Sequence, residues 1–335
     1  MNSKIAVVGG GSFGTALAAL AVENGCNTEI FVREQEIVES INKEHVNSVF
    51  LPNIPLPEAL KAKTMEDLHS CDAEYFIWSV PSQFTRSVAK VYSEILKGKK
   101  VLLAAKGIEI ATGNMMLTVL QEELDSEISI LSGPSFAKEI IFKKPTLVSI
   151  GSSNKATAKW WQEALSCEYF RVYITTDIVG LEVGGSLKNI LAISTGMSDG
   201  LDLGSDARAA LISRGLVEMA RYGVAFGAKP ETFMGLAGVG DLVLTATCSQ
   251  SRNYTVGRLL AEGKDIDEIT GSMKMVAEGV PTAKAVYQVA KEKNIDMPIC
   301  EEVYKIIYEK KDPKESLKDL MKRPLKEDVL DMDNL

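Results

Sequence analysis

Short apolar runs punctuate the first half of the chain, each closed by glycine, proline or a polar cluster. Ile5–Val8, Thr28–Val32, Tyr75–Val80, Val101–Ala105, Ile128–Leu131, Thr146–Ile150 and Phe170–Ile174 predict strands. Helical periodicity fills the intervals, as at Thr15–Val22 and Ile37–Glu44. Such alternation predicts a parallel, doubly wound sheet with ligands beyond the carboxyl ends of its strands, where Pro81, Lys106 and Gly133 fall. The prolines at 52, 55 and 57 predict an extended loop over residues 49–57. From about Asp177 the strand-like runs stop. Thr176 or Asp177 is placed to cap a long helix running toward Thr195. Helices are predicted over Ala207–Phe226, Asp241–Ala246, Thr255–Ala261, Pro281–Lys293 and Cys300–Tyr308, before a charged tail punctuated by Pro313 and Pro324. The expectation is an α/β, Rossmann-like domain over 1–176 and an all-helical substrate-binding domain over 177–335.

The first turn sharpens that picture. Gly9-Gly10-Gly11-Ser12-Phe13-Gly14 lies between a predicted strand and a predicted helix. In this G-x-G-x-x-G pattern Gly9 permits the tight turn and Gly11 lets a pyrophosphate approach the backbone. Gly14 lets helix and strand pack closely. The helix N-terminus offers unpaired N–H groups to the phosphates. Where NAD-specific folds carry an acidic residue after the second strand, this chain has Arg33, suited to a 2′-phosphate or to stacking on adenine. That favours NADP(H) without excluding NAD(H), because Glu34 is adjacent; the alternative for Arg33 is a plain surface arginine.

Composition narrows the function classes. Among 335 residues the net charge is −8, which argues against nucleic acid and leaves an anionic substrate dependent on local cations. The five cysteines form no C-x-x-C pair and the two histidines, His45 and His69, have no partner at ligand spacing. No metal site or histidine-based triad is expected. The uncharged stretch Ile5–Val22 mimics a signal sequence, yet the strand–turn–helix reading accounts for each of its glycines. The expected location is the cytoplasm.

Three stretches in the second half carry chemistry. Gly184-Gly185-Ser186-Leu187-Lys188-Asn189 puts two glycines inside a helix, at roughly 1 kcal/mol each relative to alanine, next to a lysine. Lys188 is either a cleft amine or a solvated lysine on a closely packed helix. Asp241, after the Gly235–Gly240 turn, is an N-cap, a partner for a lysine, or both. Ser251-Arg252-Asn253 is a phosphate clasp at a helix N-terminus or a polar surface loop.

Taken together and in order, these motifs resemble the bacterial-type NAD(P)-dependent glycerol-3-phosphate dehydrogenases along essentially the whole chain. The shared runs are 9–18, Lys106-Gly107-Ile108-Glu109, Gly133-Pro134-Ser135-Phe136-Ala137, Leu187-Lys188-Asn189, Gly238–Leu242, Ser251-Arg252-Asn253 and Val276-Ala277-Glu278-Gly279. The resemblance implies a 6-phosphogluconate dehydrogenase-like architecture. It also implies reduction of dihydroxyacetone phosphate to sn-glycerol 3-phosphate, feeding glycerophospholipid synthesis. Lys188 matches the proton donor and acceptor, with Lys106 and Asp241 beside it in catalysis. Ser12, Phe13, Arg33, Lys106, Ala137, Arg252, Val276 and Glu278 are implied as cofactor contacts with Gly9, Gly11 and Gly14. Lys106, Gly133, Ser135, Lys188, Asp241, Ser251, Arg252 and Asn253 are implied as substrate contacts. The chain departs from the family pattern at Phe13, where tryptophan is frequent, at Asn53, where glycine is usual, and at Tyr254-Thr255, where basic residues often follow. β-Hydroxyacid or 6-phosphogluconate dehydrogenases, which recognise a carboxylate, and a non-catalytic dinucleotide sensor are the rival readings. The oligomeric state is left open, a homodimer among the options.

Overall fold

Among the described residues ten strands form: β1 (Lys4–Val8), β2 (Asn27–Val32), β3 (Val46–Asn47), β4 (Leu51–Pro55), β5 (Lys61–Thr64), β6 (Tyr75–Trp78), β7 (Lys100–Leu103), β8 (Glu127–Ser132), β9 (Thr146–Gly151) and β10 (Phe170–Thr175). The computed structural model describes residues 3–273 and 275–325. Eight strands make one sheet, ordered β10-β9-β8-β7-β6-β1-β2-β5, and β3 pairs with β4 in a separate two-stranded sheet. Ile5, Val7, Ile30, Ile77 and Leu102 are buried in its core, as continuous apolar strands of a covered sheet should be.

All neighbours in the large sheet run parallel except β8 and β9. The expected wholly parallel sheet is corrected at that pair. Its connection contains only the short helix Ala137–Ile141, too little to carry the chain back across the sheet for a parallel return. Lys61–Thr64 was not foreseen as a strand, because an edge strand paired on one side keeps its lysines and shows no apolar run. Of residues 49–57, expected as one extended loop, 49 and 50 belong to a turn and 51–55 pair as β4. Asn53 there has φ 62°, so it occupies the left-handed conformation that the family's usual glycine takes freely and asparagine tolerates.

The chain divides into two compact units, residues 1–105 with 116–178 and residues 106–115 with 179–335. A single cut between 176 and 177 therefore misses the segment 106–115, which packs with the helices. Ile108 bridges Met115 across this segment, and both are buried in the helical core.

The helical unit is built around Ile178–Gly200, buried continuously from Gly180 to Ser198. Such burial demands close neighbours. A Cβ on Gly196 would lie 2.1 Å from the Tyr254 carbonyl oxygen, and one on Gly257 would lie 2.0 Å from that of Ile193. The helix Arg252–Ala261 therefore crosses the central helix backbone to backbone. Other helices are Gly204–Ala225, Asp241–Thr247, Gly279–Lys293 and Pro298–Glu309. Ile266–Ser272 and Pro313–Met321 were not anticipated; part of the charged tail forms a short, mostly exposed helix. Among the described residues no helix is long and apolar enough to cross a membrane.

Candidate active site

The glycine turn is made by backbone. Gly9 has φ 111°, and a Cβ there would lie 2.7 Å from the Ser79 carbonyl oxygen. A Cβ on Gly14 would lie 2.2 Å from the Gly9 carbonyl oxygen, so helix Ser12–Glu23 sits directly on the turn. Around Gly11 there is open space within 4 Å. The helix opens with no side-chain cap and no acidic residue in its first turn, and a helix N-terminus of this kind favours an anion. This is the arrangement a dinucleotide pyrophosphate requires, and Ser12 and Phe13 lie in the same first turn. Arg33, with 81% of its side chain exposed, donates to Glu34 Oε1 at 2.5 and 3.0 Å. Gly133 has φ 134° and lies against Val148, Ser135 Oγ donates to the Gly133 carbonyl at 2.9 Å, and Ala137 opens the helix that follows.

The second site is made by side chains, all within the helical unit. Asp241 is fully buried and bridges two amines: Lys188 Nζ lies 2.5 Å from Oδ1 and Lys106 Nζ lies 2.9 Å from Oδ2. The preceding residues Leu236–Gly240 form a π-helical turn that runs straight into Asp241–Thr247. Asp241 is therefore not an N-cap; it sits inside a continuing helix with its carboxylate free for the lysines. Gly184 answers the packing question beside Lys188. A Cβ there would lie 2.3 Å from the Ala237 carbonyl oxygen, so that glycine admits the backbone of the π turn.

Thr245 completes the cluster. Its Oγ1 accepts from Lys188 Nζ at 3.1 Å and donates to the Asp241 carbonyl at 2.6 Å. Sequence reasoning missed it, although the i,i+4 spacing from Asp241 puts both on one helical face. Ser186 was missed too. Its hydroxyl accepts from the Gly107 N–H at 3.0 Å and donates to the Gly107 carbonyl at 3.3 Å. No local signal announces a partner 79 residues away.

Burial pushes the Lys188 amine down, Asp241 opposes that shift, and the nearby Lys106 cation adds to it; the result is a value of about 7. Burial alone would raise the Asp241 carboxyl, but Lys106 and then Lys188 outweigh it and hold it below the usual carboxylate range. An amine balanced near neutrality beside a fixed carboxylate can give or take a proton.

Ser251 is the N-cap of Arg252–Ala261, its Oγ accepting from the Tyr254 N–H. Arg252 is exposed at the first position and donates to the Val276 carbonyl at 2.5 Å. Glu278 directly precedes the helix Gly279–Lys293. Asn253 is buried and linked to the helix of Lys188: its amide donates to Asn189 Oδ1 and accepts from the Gly279 N–H, both at 2.9 Å. The structure thus joins Lys106, Lys188 and Asp241 directly, and ties the Ser251–Asn253 turn to the same central helix through Asn189.

Residues 4–158 match the family described as NAD-dependent glycerol-3-phosphate dehydrogenase N-terminus, and residues 177–318 match its C-terminus counterpart. A glycerol-3-phosphate dehydrogenase (NAD(P)+) of Solidesulfovibrio magneticus is 47% identical over 97% of this chain and 100% of its own length. One from Leptospira biflexa is 44% identical over 96% and 98%. The crystal structure of glycerol-3-phosphate dehydrogenase from Coxiella burnetii superposes with a TM-score of 0.91 at 39% identity, covering 96% of this chain and 99% of that one.

Proposed function

The chain belongs to the NAD-dependent glycerol-3-phosphate dehydrogenase family, and from that premise we propose how its own residues carry the reaction. The enzyme is an NAD(P)-dependent oxidoreductase that interconverts dihydroxyacetone phosphate and sn-glycerol 3-phosphate. The observation that carries the residue assignment is the Lys106–Asp241–Lys188 cluster, in which Asp241 and Lys188 are buried.

Gly9, Gly11 and Gly14, with Ser12 and Phe13, hold the dinucleotide through backbone N–H groups, and Arg33 takes its adenosine end. Bound there, the reduced cofactor supplies the hydride. Lys188 gives a proton to the ketone oxygen as charge develops on it, and takes one back in the reverse direction. Asp241 fixes the directions of both amines, and Thr245 holds Lys188 in line. Lys106 supplies a second positive charge for the same oxygen. Ser251, Arg252 and Asn253, at a helix N-terminus, take the phosphate, with Gly133 and Ser135 among the remaining substrate contacts. Ala137, Val276 and Glu278 belong to the cofactor's surroundings in this reading.

NADPH over NADH is part of the proposal, resting on Arg33. So are cytoplasmic residence, supply of glycerol 3-phosphate to glycerophospholipid synthesis, and a homodimer, which size-exclusion with light scattering tests. The central experiment is NADPH oxidation with dihydroxyacetone phosphate against unphosphorylated dihydroxyacetone. Arg252→Ala is expected to raise KM for the phosphorylated ketone by about 10- to 100-fold, the worth of a lost charge-assisted contact. An unchanged KM would move the phosphate clasp elsewhere.

A further inference from the structure

Lys106 comes from the end of a sheet strand in sequence, yet its segment, 106–115, packs among the helices. Something must hold that segment in register, because a lysine ammonium on a flexible stem aims only as well as its backbone is fixed. Ile108 and Met115, buried in the helical core, and the Gly113 turn, packed on Val289, hold it along its length. Next to Lys106 itself, Ser186 anchors the backbone.

Gly107 is buried, so its N–H and carbonyl both need partners. One hydroxyl, that of Ser186, serves both, accepting from the N–H at 3.0 Å and donating to the carbonyl at 3.3 Å. Ser186 is itself buried and stands two residues before Lys188 on the rigid central helix. The same helix therefore carries one amine directly and grips the peptide adjoining the other.

We propose that Ser186 is a positioning residue: by clasping the Gly107 peptide it sets Lys106 against Asp241 and so fixes the spacing of the two amines. It touches no substrate and acts through Lys106. The inference rests on the reading of Lys188 and Lys106 as the reacting pair. The charged groups facing Lys188 are Asp241, from the helix Asp241–Thr247, and Lys106, from the inserted segment. Loosening Lys106 removes a neighbouring positive charge and releases the carboxylate to Lys188 alone. Both changes raise the proton affinity of Lys188.

The test is a kinetic cycle of Ser186→Ala, Lys106→Ala and the double variant, followed as kcat and kcat/KM against pH with dihydroxyacetone phosphate and NADPH. Ser186→Ala is expected to lower kcat/KM for dihydroxyacetone phosphate roughly tenfold, a usual scale for a displaced positioning contact. Its pH midpoint moves upward, in the same direction as that of Lys106→Ala. Added to Lys106→Ala, the serine change then has no further effect, because its target is gone. Ser186→Cys restores part of the loss. Should Ser186→Ala not fold, Ser186→Cys carries the cycle, with a smaller loss and the same direction of pH shift. A Ser186→Ala profile that superimposes on the parent, or a full additional loss in the double variant, overturns the proposal. Lys188→Ala is measured alongside: inactive Lys188→Ala with normal Ser186→Ala refutes only the role of Ser186, whereas active Lys188→Ala refutes the parent reading.

Discussion

The glycine turn and the amine cluster are built on opposite plans. The turn spans six consecutive residues and presents backbone N–H groups in the sheet-bearing unit. The cluster draws on positions 106, 188, 241 and 245 and presents side chains. A backbone site depends on side chains that are missing, so it is damaged by adding atoms. A side-chain site depends on charges in balance, so it is damaged by removing one.

Lys188→Ala is the largest expected break in that contrast. If the proposed general acid is Lys188, its loss should lower kcat by about 10³-fold, in the usual range for such groups, with NADPH affinity nearly unchanged. Steady-state turnover and a fluorescence titration of NADPH check both halves. Turnover within a few-fold of the parent would remove Lys188 from the chemistry.

Two glycine substitutions test the other side. Gly14→Ala drives a methyl against the Gly9 carbonyl oxygen, and overpacking of this kind costs about 1–3 kcal/mol of stability. Gly11→Ala meets open space and should leave the unfolding midpoint of the cofactor-free protein unchanged while weakening NADPH binding. Thermal unfolding without cofactor separates the pair; equal loss from both would mean that Gly11 is a packing residue.

The pH profile sharpens the cluster's description. If Lys188 is the proton donor proposed above, the rate of ketone reduction should fall as pH rises through about 7, and alcohol oxidation should rise over the same range. Asp241 raises the amine's proton affinity, so Asp241→Asn should move the residual reduction profile to lower pH. Lys106→Ala should move it to higher pH. A shared direction for the two variants would refute this charge balance.

The smallest effect belongs to Thr245→Val, which removes one hydrogen bond at nearly constant volume. A loss of roughly threefold to tenfold in kcat is expected, with KM for NADPH unmoved.

Burial alone does not identify such a cluster. Glu218 is as deeply buried as Asp241, and burial pushes its carboxyl up to about 7. Its oxygens accept the Ile299 and Cys300 N–H groups, closing the start of the helix Pro298–Glu309. Asp241 instead has two ammonium groups, which keep it ionised. What faces the carboxylate separates a structural role from a chemical one.

The strand runs, the glycine turn and the helical second half are legible in the chain because their causes are local: period, apolar content and the absence of Cβ atoms within a few residues. Asp241 and Lys188 were visible as alternatives, and the packing of Gly184 on the π turn shows why a helix would keep a glycine beside a lysine. The edge strand β5 escaped because it has no apolar run, and the direction of β9 escaped because pairing depends on neighbours distant in sequence. Sequence by itself determined the fold class, the dinucleotide turn and the chemical types available. Tertiary structure alone decided that residues 106–115 join the helical unit, that Asp241 bridges two amines, that Thr245 bonds one of them and that Ser186 bonds the peptide beside the other. The physical reason is range: steric and periodic effects act along a few residues of chain, whereas a proton affinity is set by whichever charges folding brings within a few ångströms.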